Sequence, residues 1–145
     1  MQDKKYHHGN LKEALIEAGL EILAESGLDG LSLRTCAARV GVSHTAPKNH
    51  FGNMSGLLTA IAARGYGQLA EWMRRDLPDH ATRQQIRDFA LEGYVAFARA
   101  QPALFELMFS GGRTNRDDPD LKAAVGTCFE VLRTASQNLD WDKAD

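Results

Sequence analysis

Apolar residues recur at helical spacing along most of this chain, and every element they predict is a helix. Leu11, Ala14, Leu15, Ala18 and Ile22 form the inner stripe of a first helix, while Lys12, Glu13, Glu17, Glu21 and Glu25 face outward. Asn10 followed three residues on by Glu13 predicts a capping box at its start, and Gly27 its stop. Ser32 then caps a short helix with Leu33, Cys36, Ala37 and Val40 along one side, ended by Gly41. Val42 turns back toward the core, Ser43 caps the next helix, and Pro47 sits in its first turn, where a missing N–H costs little. Ala46 and Phe51 give that helix an apolar side. After a Gly52–Asn53 link, Leu57, Leu58, Ile61, Leu69, Trp72 and Met73 predict a long helix from about Ser55 to Arg75, weakened by Gly65 and Gly67. At 1.5 Å per residue it is about 30 Å long. A turn at 77–83 leads to an amphipathic helix carrying Ile86, Phe89, Ala90, Gly93, Tyr94 and Phe97. Gln101–Pro102 breaks the chain and starts another helix, ALFELMF. A polar loop at 110–120 precedes a last helix from about Leu121 to Asn138, with Leu121, Val125, Cys128, Leu132 and Leu139 on one face.

Two short helices joined by a glycine turn, as in SLRTCAARVGVSHTAPKNHF (residues 32–51), are either an ordinary helical hairpin or a helix-turn-helix whose second helix fits the major groove. Side-chain chemistry favours the second. His44, Thr45, Lys48, Asn49 and His50 are donors and acceptors with no obvious core partner. Charge is placed to match: residues 1–30 carry 3 Lys/Arg against 6 Asp/Glu, residues 31–70 carry 4 against none, and residues 71–145 carry 10 against 13. The acid-free run holds Arg34, Arg39, Lys48 and Arg64, and points to a surface that meets phosphates. With a net charge of −2 over 145 residues, affinity for DNA has to come from that local charge.

Other chemistries find little support. Cys36 and Cys128 stand far apart in no metal or redox spacing and read as buried free thiols in a reducing cytoplasm. No leader pattern opens the chain and no apolar run reaches bilayer length, so a cytoplasmic protein with no membrane partner is expected. His7 and His8 lack a third ligand at suitable spacing. With no nucleophile motif, phosphate loop or metal spacing, no enzyme activity and no cofactor are expected. The polar opening, MQDKKYHHG, offers Lys4 and Lys5 to a DNA backbone or minor groove, or is simply a loose end.

The first 65 or so residues resemble the DNA-binding domain of the TetR family of transcriptional repressors. The residues that carry the likeness are the amphipathic first helix ending in ESGLDGLSLR, the AARVGVS turn, and the HF pair ahead of Leu57–Leu58. The HHGN start, and SHTAP before KNHF, resemble one subgroup, as does ALFELMF. The resemblance implies a three-helix DNA-binding domain at 1–54 joined by the long helix to a shortened helical ligand-binding and dimerisation domain at 55–145. It implies that Ser32, Arg34, Ser43, His44, Thr45, Lys48, Asn49 and His50 form the DNA-binding set, with His44 and Thr45 reaching base edges and Arg34, Lys48 and His50 holding phosphates. His50 packing beside Phe51 and Thr45 supporting the helix start are the structural alternatives. The family commonly has Tyr where Lys48 stands and Lys where Met54 stands, so Lys48 exchanges one backbone contact for another and Met54 loses one. Family bodies usually continue with two further helices that pair between subunits, and the chain is expected to lack them, stopping at NLDWDKAD.

The implied partners are a double-stranded palindromic operator, a second copy of the chain, and a small apolar or aromatic effector whose binding tilts the long helix and releases the DNA. Phe89, Tyr94, Phe97, Phe105, Met108, Phe109, Cys128 and Phe129 line either such a ligand cavity or plain core. The competing function is a helical protein- or ligand-binding module that has lost DNA recognition.

Overall fold

In a computed structural model of the chain, residues 10–136 are described, and among them seven helices and no strand are found. Lys4, Lys5, His7, His8 and Leu139 lie outside those residues. The helices are α1 (Leu11–Gly30), α2 (Leu33–Val40), α3 (Ala46–Phe51), α4 (Met54–Arg74), α5 (Arg83–Ala100), α6 (Pro102–Phe109) and α7 (Pro119–Ser136).

α4 is the axis of the fold, packing against α1, α3, α5, α6 and α7. Its sequence explains why. Leu57, Leu58, Ile61, Ala62, Tyr66, Leu69, Ala70 and Met73 are all buried, which is too broad an apolar arc for a surface helix. Its first turns share a core with α1 and α2 through Leu15, Leu23 and Cys36, and its later turns share one with Phe97, Leu104, Leu107, Leu121 and Cys128. The two glycines of α4 differ in what surrounds them. A Cβ on Gly65 would lie 2.6 Å from Met108 Sδ, so this glycine lets α6 approach, whereas nothing lies within 4 Å of one on Gly67. Gly67→Ala is therefore expected to stabilise the chain by about 0.5–1 kcal/mol through helix propensity, raising the melting temperature by roughly 2–4 °C in a calorimetric scan.

Two signals at the ends of α1 work differently from their sequence reading. Asn10 makes no side-chain cap on α1, and its expected partner Glu13 is instead bound by Arg64 of α4. The expected stop at Gly27 is a break (φ 68°, ψ −169°) followed by one more turn, closed where Leu31 N–H donates to Leu28 carbonyl at 3.2 Å. Later caps are formed by side chains: Asn53 accepts from Gly56 N–H, Thr82 and Gln85 make a reciprocal box, and Asp118 accepts from Leu121 N–H.

Cys36 and Cys128 are both buried free thiols. Burial pushes the Cys36 thiol up from 9.0 to about 11. Below the lower value the thiol is protonated whether the chain is folded or not; between the two values the unfolded chain releases a proton that the native chain keeps, so stability falls as pH rises through that window. Denaturant midpoints are expected to drop between about pH 9 and 11, and to drop less in Cys36→Ala measured against its own neutral-pH value.

Candidate nucleic-acid interface

The interface is built on two caps and a turn. Ser32 Oγ accepts from Thr35 N–H at 3.0 Å, while Thr35 Oγ1 accepts from Ser32 N–H at 2.9 Å, so α2 begins with a reciprocal capping box. It ends at Gly41 in the left-handed region (φ 79°, ψ 34°), where Ala37 carbonyl accepts from both Gly41 and Val42 N–H. That closure reverses the chain toward α3.

α3 begins later than its sequence suggests. Ser43 does not cap the helix; its Oγ accepts from Thr45 N–H at 3.2 Å and lies 2.7 Å from Thr45 Oγ1, forming a hydroxyl-stabilised turn. Ser43, His44 and Thr45 therefore stand ahead of the six helical residues Ala46–Phe51, with Thr45 as N-cap. Pro47 lies in the first turn as expected, but it is also the buried anchor of α3, a role that sequence reasoning assigned to Ala46 and Phe51, which are half-buried.

Seven of the eight expected residues are exposed. Arg34 at the start of α2, Ser43, His44 and Thr45 in the turn, and Lys48, Asn49 and His50 on α3 are all exposed. Ser32 is half-buried and its hydroxyl is committed to the capping box. His50 lies beside Phe51, ring centroids 6.3 Å apart. Among the described residues no carboxylate pairs with Arg34, Lys48, His44 or His50.

The other two cations of the acid-free run point elsewhere. Glu13, Glu17, Glu21 and Glu25 repeat at i, i+4 along α1, an arrangement of like charges that is unfavourable alone. Arg64 of α4 binds Glu13 and Glu17, and Arg39 of α2 binds Glu25 at 2.6 Å and Glu21 at 3.3 Å. The hydrogen bond from Arg39 holds the Glu25 carboxyl below its ordinary value. The outward acids of α1 are thus partnered rather than merely solvated, and the cations left unpaired in the run are Arg34 and Lys48. The legible signal was the four-residue repeat of glutamates, which asks for two cations. Met54 opens α4 half-buried against the core, offering the interface no charge.

In the body, the predicted aromatic and sulfur positions are spread over several environments. A cavity of about 410 Å³ opens between α4, α6 and α7, and Met108 and Phe109 are in its wall with Tyr66, Leu121 and Val125. Phe105 bridges Phe109 and Tyr94, at centroid distances of 4.6 and 5.5 Å. Phe97 is fully buried, edge-on to Trp72 at 5.7 Å. Phe89 borders a separate groove with Trp72, Cys128 is buried in the core, and Phe129 is 62% exposed. Tyr66, which the sequence did not single out, donates from its hydroxyl to Met108 carbonyl at 2.9 Å.

A capped helix pair followed by a long helix that also forms the centre of a helical body is a helix-turn-helix joined to an all-helical body. Residues 15–61 match the model of the bacterial regulatory proteins of the tetR family, and residues 88–144 match that of the tetracyclin repressor-like C-terminal domain. The chain belongs to the TetR family. It is 39% identical over 89 residues to the class D tetracycline repressor protein of Escherichia coli, covering 61% of this chain and 38% of that protein. It spans 23–40% of the length of the tetracycline repressors it matches. A protein of unknown function from Rhodococcus sp. RHA1 superposes with a TM-score of 0.73 at 30% identity, over 91% of this chain and 69% of the other. A TetR-family transcriptional regulator from Haemophilus influenzae RD shares the fold, with a TM-score of 0.51 at 20% identity over 66% of this chain and 52% of that one.

Proposed function

We propose that the chain is a DNA-binding transcriptional regulator that represses by occupying a palindromic operator as a homodimer and lets go when a small molecule binds its body. The observation that supports this reading is the α2–α3 segment, where Arg34, His44, Thr45, Lys48, Asn49 and His50 are exposed while Arg39 and Arg64 are held by the acids of α1. Positive charge is concentrated where a major groove would lie. His44 and Thr45 read base edges; Arg34, Lys48 and His50 hold phosphates. Residues 1–54 act as the reading head and 55–145 as the regulatory and pairing body, with the first turns of α4 lending Leu57 and Ile61 to the core of the head. The protein performs no catalysis and works in the cytoplasm; among the described residues no helix is long and apolar enough to cross a membrane.

Selection of the purified chain against random short duplexes, with solution mass measured on the same sample, tests the reading. An inverted repeat with half-sites about one helical turn apart, bound by a dimer, is the expected result. Enrichment of no sequence would remove the regulator reading and leave the alternative that the half-buried Met54 favours, a helical binding module without DNA recognition.

A further inference from the structure

The cavity between α4, α6 and α7 has a chemistry that narrows what it takes. Its volume of about 410 Å³ falls in the range of roughly 300–1,000 Å³ typical of small-ligand sites. Tyr66, Met108, Phe109, Leu121 and Val125 make its walls apolar, and two cations, Arg116 and Lys122, stand in the wall beside them. Lys122 lies 3.6 Å from Asp117, and the other acid of the α6–α7 loop, Asp118, is spent capping α7. Arg116 has no carboxylate partner among the described residues. Arg116 is exposed, and its guanidinium lies beside Gly111, where an added Cβ would stand 2.2 Å from Nη2. An apolar chamber with one unneutralised planar cation in its wall fits an amphipathic anion, because a guanidinium binds a carboxylate through two parallel hydrogen bonds.

We propose that this cavity is the effector site and that its ligand is a small aromatic or short aliphatic carboxylate, its apolar body against Tyr66, Phe109 and Val125 and its carboxylate on Arg116. The proposal rests on the reading of the chain as a ligand-released regulator and names the ligand class. The geometry also gives the bound state a route to the DNA face. Asn115, next to Arg116, donates from its N–H to Thr59 Oγ1 at 2.8 Å, and the buried Thr59 hydroxyl donates to Ser55 carbonyl at 2.7 Å. Ser55 lies in the first turn of α4, beside Gly56, which presses on the backbone carbonyl of Phe51 at the end of α3. A carboxylate that draws Arg116 inward pulls on this link and so on the seat of the recognition helix.

The test titrates the full chain calorimetrically with benzoate and hexanoate, and with benzamide and benzylamine as neutral and cationic counterparts, while duplex binding is followed on the same samples by fluorescence anisotropy. The carboxylates are expected to bind at least about tenfold more tightly than their counterparts and to lose about that factor in Arg116→Gln, as befits a hydrogen bond to a charged group. Thr59→Val is expected to keep carboxylate binding but lose carboxylate-driven release of the duplex. Equal binding of benzamide, or carboxylate binding unchanged in Arg116→Gln, overturns the ligand class; normal release in Thr59→Val overturns the route. Duplex binding with no carboxylate bound at millimolar concentration sinks this proposal alone, whereas carboxylate binding through Arg116 without any duplex binding sinks the regulator reading and leaves the site standing.

Discussion

A chain carrying Arg34→Ala and Lys48→Ala together is expected to bind its selected duplex about two to three orders of magnitude more weakly near physiological salt. Each cation lifted from a phosphate reduces the slope of log K against log salt by about one. A dimer loses two cations per protomer, so the slope should fall by about four in all. The control is built into the same stretch of sequence. Arg39 and Arg64 are already bound by Glu21, Glu25, Glu13 and Glu17, so Arg39→Gln and Arg64→Gln should leave the slope where it was. Their cost to stability is small, since solvent screens exposed ion pairs. Salt titrations by anisotropy separate the two pairs of variants. Equal slope changes in both would mean that the glutamates release their arginines on contact with DNA and that the unpaired face is not the whole footprint.

Gly56→Ala is expected to cost about 3 kcal/mol or more, at the high end of overpacking, with the melting temperature falling by about 10 °C. The new Cβ would stand 1.9 Å from Phe51 carbonyl oxygen and 2.9 Å from its carbon. Both are backbone atoms, so no side chain can rotate away. Relief requires α3 to lift from α4, and α3 is short, six residues held by Pro47 and by its junction with α4. Duplex binding should therefore fall further than the loss of folded protein explains, measured well below the melting point. Thermal scans and anisotropy on one preparation check both parts. A variant with native stability and native affinity would show that the α3–α4 junction is looser than its geometry.

Helix order and most boundaries were legible because the apolar stripes of α1, α2, α5 and α7 repeat with little interruption. Gly41 was legible for a different reason, as a turn that demands a left-handed residue has few substitutes. The start of α3 was not. Ser43 is as good a cap as any serine, and only the pairing of its hydroxyl with Thr45 diverts it into a turn. Asn10 and Glu13 satisfy the capping pattern equally well, but Arg64, 51 residues away, outcompetes the local bond. Charge counting found the basic stretch and overcounted it, since two of its four cations answer acids on α1 that sequence distance hides. In the body, an aromatic residue at helical spacing looks the same whether it ends as core, like Phe97, in a cavity wall, like Phe109, or in the open, like Phe129. Packing of other helices decides among the three. Tyr66 and Arg116 escaped notice because neither belongs to an apolar run, and what makes them notable is the volume they border.

α4 also limits how this molecule can be recombined with others. Ile61 and Cys36 meet at Gly19, whose own Cβ would lie 2.6 Å from Ile61 Cδ1, while Tyr66, little more than a turn further on, walls the cavity. A chimera cut at the Gly52–Asn53 link would hand the head a foreign helix in place of Leu57 and Ile61 and leave a hole beneath the recognition helix. One cut in the 75–82 turn keeps the head intact but carries Gly65 and Tyr66 into a stranger's body, where α6 must still come close enough to touch. The N-terminal and C-terminal helices are therefore exchangeable only as sets that agree along one shared helix, and compatibility at Ile61, Gly65 and Tyr66 is the criterion by which a workable hybrid can be chosen.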